Sequence, residues 1–291
     1  MNPTKSLFGI IASLMVGAMI LAAGSAQSIE VDNLPLFAIC GAIGFVLHWA
    51  VFIPSFALKT EHYFDLTGSV SYISTVIVAL VLNPNLDIRD LLIGAMVIIW
   101  AIRLGSFLFW RVKKNGRDNR FNEMKTQFTW FLMTWTLSGL WVLVTFAAGL
   151  AAITSGTDKP LSLIGYIGLS LWLIGIIIEV RADQQKTKFR ANKDNADRFI
   201  TSGLWAWSRH PNYFGEILLW LGISLVALPV LNGWQLVTMI SPIFVYVLLT
   251  KISGVNLLEQ RGQSKWGADP AYKAYVKSTP ILVLRRPKAS Q

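Results

Sequence analysis

Apolar residues arrive in long blocks separated by polar loops, at roughly residues 6–24, 35–57, 68–82, 91–110, 128–150, 161–180, 213–230 and 235–250. Most reach the ~20 residues that a helix needs to cross a hydrocarbon core about 30 Å thick. The third and eighth blocks are shorter and fit a tilted or partial crossing. The pattern predicts an all-α, polytopic transmembrane helical bundle of seven to eight spans, read as a single integral membrane domain over residues 1–291. The first block, with Lys5 before it and the small residues "AAGSAQS" after it, has the outline of a signal peptide. A retained first helix is the expectation.

Composition agrees with the pattern. The chain has 291 residues, of which 54% are hydrophobic and 14% charged, where a soluble domain carries about 25% charged residues. The lone Cys40 lies inside an apolar block, which excludes an intrachain disulfide and a multi-cysteine zinc site. His48, His62 and His210 are too scattered to form a metal site, and no metal is expected. The net charge of +10 invites a nucleic-acid reading, but the placement of the charges gives it another meaning. Of the 26 Lys and Arg residues, six lie in 111–127, seven in 181–212 and eight in 251–291. With eight spans, these three segments and both termini share one side, which the positive-inside rule makes the cytoplasm. Such segments also attract anionic lipid, so membrane lipid is the expected partner, with no nucleic acid and no obligate protein partner.

The outer loops are short and sparse, while the inner segments are long and rich in ionisable groups. That asymmetry suits an enzyme working on a cytoplasmic solute at the membrane surface better than a scaffold or channel. No Gly-x-Gly-x-x-Gly follows a strand and there is no Walker loop, so any nucleotide must be held by helices and loops.

Five polar constellations stand out. In "IIIEVRADQQKTKFRANKDNADRF", Glu179, Asp183, Lys186 and Arg190 recur at helical spacing on one face. An ordinary solvated helix end would look the same. The functional alternative is a pair of carboxylates for ribose hydroxyls or an adenine amine, with cations for phosphate. In "IRLGSFLFWRVKKNGRDNRF", Arg103 sits inside the fourth block, where an Arg faces the bundle interior or snorkels to the interface. Arg111, Arg117, Asp118 and Arg120 follow in a glycine-containing loop that fits either an anionic ligand or a topology signal. In "TEHYFDLTGSVSYIS", Asp65 lies at the entry to the third block with Glu61, His62, Tyr63 and Tyr72 nearby. A neutral carboxylic acid can donate a hydrogen bond to a carbonyl and stabilise a developing enolate. A plain helix cap is the competing reading of Asp65. In "SRHPNYFGEILLW", Asn212, Glu216 and Trp220 repeat every four residues, flanked by Ser208, Arg209, His210 and Tyr213. Interfacial anchoring explains the aromatics but not Glu216. The tail offers Glu259 and Arg261 and can fold over a cytoplasmic opening.

At "TSGLWAWSRHPNYFGEILLWLGISL" the chain resembles the C-terminal domain of the steroid 5-alpha-reductase family, in particular its bacterial membrane homologues. "RADQQKTKFR" and "WAIRLGSFLFWRVKKNGRDNRF" resemble that family too, and the likeness covers roughly residues 60–285. The Arg-His-Pro-x-Tyr motif is shared with the isoprenylcysteine carboxyl methyltransferases and the sterol C14/C7 reductases. The resemblance implies an all-helical bundle of about seven spans, in which cytoplasmic loops form a pocket for NADPH, in a bacterial inner membrane with the active site facing the cytoplasm. It implies reduction of a carbon–carbon double bond conjugated to a ketone, as in a 3-oxo-4-ene steroid that enters from the bilayer. It assigns cofactor contacts to Arg103, Glu179, Asp183, Arg190, Arg198, Asn212, Glu216 and Trp220. Arg117, Asp118, Arg120, Lys186, Ser208, Arg209, His210, Tyr213 and Glu259 complete the candidate cofactor set, and Asp65, Tyr63 and Tyr72 the catalytic set. The chain departs from the family at Glu179, where Asn is frequent. It departs again near Trp100 and Ala101, where a Tyr is expected and none stands. An S-adenosylmethionine-dependent methyltransferase and a non-enzymatic transporter are the rival readings.

Overall fold

The computed structural model describes residues 2–115 and 118–286. The protein is all-α apart from a short hairpin. Among the described residues, eight helical segments are long and apolar enough to cross a membrane. They follow the eight sequence blocks one for one, and so exceed by one the number that the family resemblance implies.

The chain divides into two compact units, one of residues 1–166 and 223–241, the other of residues 167–222 and 242–291. The first unit opens with α1 (Pro3–Ser25), where the Asn2 side chain accepts from the Thr4 amide at 2.9 Å. The strands β1 (Glu30–Val31) and β2 (Leu34–Pro35) then pair through Asp32 and Asn33, whose φ values are 50° and 63°. Two left-handed central residues are what a tight hairpin turn requires, and Asp-Asn supplies them at low cost. Next come α2 (Leu36–Ala57), α3 (Phe64–Leu82), α4 (Ile88–Asn115) and α5 (Phe128–Ile153).

In the first unit α5 is the central element. Its most apolar stretch is 83% buried, while the other spans range from 28 to 56%. It carries Gly139, Ala147, Ala148, Gly149, Ala151 and Ala152, and α1 and α2 pack on it. Without a hydrophobic drive between helices in lipid, small residues that admit close backbone approach determine such packing. Gly44 of α2 shows this: a Cβ there would lie 3.3 Å from the Gly139 carbonyl. Then α3 packs on α2 and α4 on α3, and Phe52, Phe121, Phe131 and Trp135 form an aromatic core near the α5 start.

In the second unit α6 (Leu163–Ala191) and α7 (Pro211–Ala227) run in backbone contact. A Cβ on Gly175 would meet the Gly215 carbonyl at 2.6 Å, and one on Gly222 would meet the Gly168 carbonyl at 2.5 Å. Both α4 and α6 outrun their apolar blocks, α6 by three turns. The helix persists because its hydrogen bonds are internal and Arg, Gln and Lys are good helix formers. The eighth span, Gly233–Trp266, is interrupted: a 3-10 turn at Gly233–Met239, then α8 (Ile240–Val247), a π turn at Leu248–Ile252 and α9 (Val255–Trp266). The described residues close with α10 (Pro270–Ser278) and an irregular segment to residue 286.

Candidate functional site

The second unit gathers most of the candidate cofactor residues. Three carboxylates are buried on the facing helices: Glu179 and Asp183 on α6, and Glu216 on α7. Close approach at Gly175 and Gly215 puts the Glu179 backbone within 2.8 Å of a Cβ placed on Gly215. One turn on, Asn212 Nδ2 donates to Asp183 Oδ1 at 3.3 Å. The predicted stripe of Asn212, Glu216 and Trp220 is inward-facing: Glu216 is buried and Trp220 is fully enclosed. Pro211 begins α7, where a missing N–H costs nothing. Lys186 lies over the Trp205 ring at 4.3 Å, and Trp205 is itself fixed by a 3.0 Å bond to the Ala182 carbonyl. Arg190 and Arg198 are exposed on the rim.

The start of the motif is held from the C-terminal side. Glu259 of α9 takes Arg209 Nη1 at 2.5 Å on one oxygen and His210 Nε2 at 2.7 Å on the other. The Arg209 amide donates to the Pro280 carbonyl at 2.9 Å, the Arg285 amide to the Trp207 carbonyl at 3.0 Å, and Ser208 Oγ to the Leu282 carbonyl at 2.8 Å. Tyr275 adds a 2.7 Å bond from its hydroxyl to the Trp205 carbonyl. The tail is therefore a strap pinned along residues 205–209. His210 is buried, and Tyr213 stacks on its ring at 5.8 Å. Burial pushes the imidazole pKa down. Glu259 opposes that shift and Lys186 and Arg209 add to it, leaving the pKa below its ordinary value.

The candidate acids lie in the first unit. Helix α3 starts at Phe64 with Tyr63 as its cap, so Asp65 is a first-turn residue and the plain-cap reading of it does not hold. Its carboxylate stands 4.0 Å from Arg111. Tyr72 lies one helical face along, buried, with its ring edge-on to Trp100 at 5.2 Å. Trp100, near which the family resemblance expects a Tyr, thus has the Tyr72 ring of α3 against it. Tyr63 is half exposed and lines a different feature, an apolar hollow of about 200 Å³ with Leu47, Val51, Leu66, Thr67 and Val70. The Arg103 guanidinium lies 5.9 Å from the Phe107 ring.

In the segment after α4, Arg117 lies outside the described residues. Asp118 and Arg120 pair with each other through contacts of 2.5–3.1 Å. Burial raises the Asp118 pKa, but the Arg120 guanidinium outweighs it and holds the carboxyl below its usual value. Glu61 organises this region, and sequence reasoning gave it no role. It is 3% exposed, accepts from the Asp118 amide at 2.9 Å, and binds Lys125 Nζ at 2.6 Å. Burial opposes its charge; Lys125 and the Asp118 amide prevail and keep its pKa low. Nothing in the sequence pairs Glu61 with Lys125 across 64 positions. His48 is buried and bonds the Gly44 carbonyl at 2.6 Å through Nδ1, while its Nε2 has no partner among the described residues.

With an apolar multi-span fold and a buried polar stripe in view, comparison with known proteins assigns the class. The chain belongs to the DUF1295 family, described as proteins of unknown function, and matches it over residues 51–279. An uncharacterized protein of Schizosaccharomyces pombe is 26% identical over 145 residues, 43% of this chain and 40% of that one. Human 3-oxo-5-alpha-steroid 4-dehydrogenase 1 is 34% identical over 61 residues, 21% of this chain and 24% of the enzyme. The rat enzyme of that name is 25% identical over 116 residues, 40% and 39% respectively. The chain thus spans 40% or less of the length of these relatives. No solved structure matches.

Proposed function

We propose that the protein is an NADPH-dependent membrane reductase that saturates a carbon–carbon double bond conjugated to a ketone, such as that of a 3-oxo-4-ene steroid. The observation that carries this is the buried polar stripe of α6 and α7 in a chain similar to 3-oxo-5-alpha-steroid 4-dehydrogenase 1. Carboxylates within membrane spans are costly and mark function by default. Here Glu179 and Glu216 are buried within spans, and Asp183 with Asn212 continues the polar seam just beyond.

The donor set fits a dinucleotide. Asn212 suits a carboxamide; Glu179, Asp183 and Glu216 suit hydroxyl and amine donors; Lys186, Arg190 and Arg198 suit phosphates, with the planar Arg fork favouring a 2′-phosphate. His210 adds a buried ring nitrogen that has no partner among the described residues. When bound, the nicotinamide supplies the hydride. The protein's part is to orient the ring, exclude water and polarise the ketone. We assign the last role to Asp65, with Tyr63 and Tyr72 as the supporting hydroxyls. The reaction consumes one enone, one NADPH and one proton and gives the saturated ketone and NADP+. The apolar substrate enters from the lipid, and the site faces the cytoplasm of a bacterial inner membrane, the side to which the basic loops belong.

Purified protein should oxidise NADPH when given a 4-ene-3-ketosteroid. Absence of turnover together with tight S-adenosylmethionine binding would replace this reading with an isoprenylcysteine-type methyltransferase. Asn212→Ala should weaken NADPH binding about tenfold, the loss of a good hydrogen bond to a buried ligand. Unchanged affinity in that variant would remove Asn212 from the site.

A further inference from the structure

The contacts of His210 define what its ring can still do. Its Nε2 faces Glu259 Oε1 at 2.7 Å, and the other Glu259 oxygen is held by Arg209 at 2.5 Å. A carboxylate paired in this way only accepts, so Nε2 carries the proton, and a neutral imidazole then leaves Nδ1 as a bare acceptor. That Nδ1 is buried and has no partner among the described residues. The ring is not free to turn away. Tyr213 lies parallel to it, within 10°. The His210 amide donates to Ser208 Oγ at 3.1 Å, and Ser208 is tied to the C-terminal strap. Leaving a buried acceptor without a donor is unfavourable, and such an atom in a fixed ring is characteristic of a site completed by ligand.

We propose that His210 Nδ1 accepts a hydrogen bond from an N–H or O–H group of the bound cofactor, and that Glu259 is a positioning residue that fixes the tautomer. This rests on the nicotinamide reading and sharpens it. Phosphate oxygens offer no donor at neutral pH, so the group at His210 is a ribose hydroxyl, the carboxamide or the adenine amine. It also gives Glu259 a supporting role, with one oxygen on Arg209 and the other on His210.

A pH dependence follows. The groups facing the ring are Glu259 from α9, Lys186 from α6, Arg209 beside it and the Tyr213 ring from α7. Protonation turns Nδ1 into a donor and abolishes the contact. With the pKa held below its ordinary 6.5, the acceptor form is complete above that value and is lost as pH falls through the lower, folded value.

The test uses the full chain in detergent and the acid-stable probe NADP+, with affinity read by tryptophan fluorescence from about pH 8 to about pH 5. Wild-type affinity should fall by up to about tenfold per pH unit once the ring protonates. His210→Asn keeps an acceptor near that position but does not titrate. It should bind more weakly at pH 8 and lack that additional fall. Titration of the 2′-phosphate is common to both proteins and cancels in the comparison. In wild-type protein labelled with ¹⁵N-histidine, which has three histidines, the His210 Nδ1 resonance should shift when NADP+ saturates; this arm decides the matter if His210→Asn does not fold. Superimposable pH profiles, or an Nδ1 resonance unmoved by NADP+, would overturn the proposal alone. Wild-type protein that binds no NADP+ at pH 8 would overturn the nicotinamide reading and this proposal with it.

Discussion

Glu61 and Arg89 show how much a single buried charge can organise. Glu61 joins the loop before α3 to the segment after α4 through Lys125 and the Asp118 amide. Glu61→Gln should cost about 1–3 kcal/mol, the range for hydrogen bonds to a charged group. Because the folded pKa is depressed below 4.5, the contribution of Glu61 is complete above that value and lost as pH falls through the folded one. Acidification should therefore lower the melting temperature of wild type more than that of Glu61→Gln. Arg89 is fully buried and donates to the carbonyls of Val226, Lys159 and Pro160 at 3.1, 2.9 and 3.1 Å. Arg89→Met would strand three carbonyls and should cost about 3 kcal/mol or more, read as a lower midpoint in detergent. The three carbonyls lie 137, 70 and 71 positions away, which no residue pattern encodes.

At the scale of elements, the α6–α7 seam depends on glycine. Gly215→Leu would drive a side chain into the Gly175 carbonyl and the Glu179 amide. Overpacking of this kind costs about 1–3 kcal/mol and would part Asp183 from Asn212. Gly215→Leu should lose NADPH binding along with stability, whereas Gly68→Leu, with nothing within 4 Å of its Cβ position, should keep both. The spans themselves were legible, since crossing lipid demands an uninterrupted apolar run, and each of the eight blocks has its helix. Helix ends were less so. Hydropathy marks where an apolar block stops, while α4 and α6 continue past their blocks on their own hydrogen bonds. The Glu179–Asp183–Lys186–Arg190 face was readable from spacing for the same reason. The strap of residues 280–285 was not, because bonds to main-chain carbonyls and amides leave no side-chain period.

For the whole molecule, the basic loops predict sidedness. With Cys40 replaced by Ser, single cysteines at Glu123 and Thr157 flank α5. A membrane-impermeant thiol reagent applied to right-side-out vesicles should label the Thr157 position and spare that of Glu123. The reverse result would invert the topology and put the proposed cofactor site on the outer face.

The sequence by itself determined the all-α membrane architecture, the order of spans and the inward polar stripe of α7. Those follow from local rules, the length of an apolar run and the 3.6-residue period, that act on neighbours in the chain. Tertiary structure alone decided that Glu259 holds Arg209 and His210, that Asp183 meets Asn212, that Tyr72 lies against Trp100, and that Arg89 and Glu61 are buried anchors. Each of these joins residues far apart in sequence, and is fixed by which helices small residues allow to approach and which polar atoms must then find partners away from water.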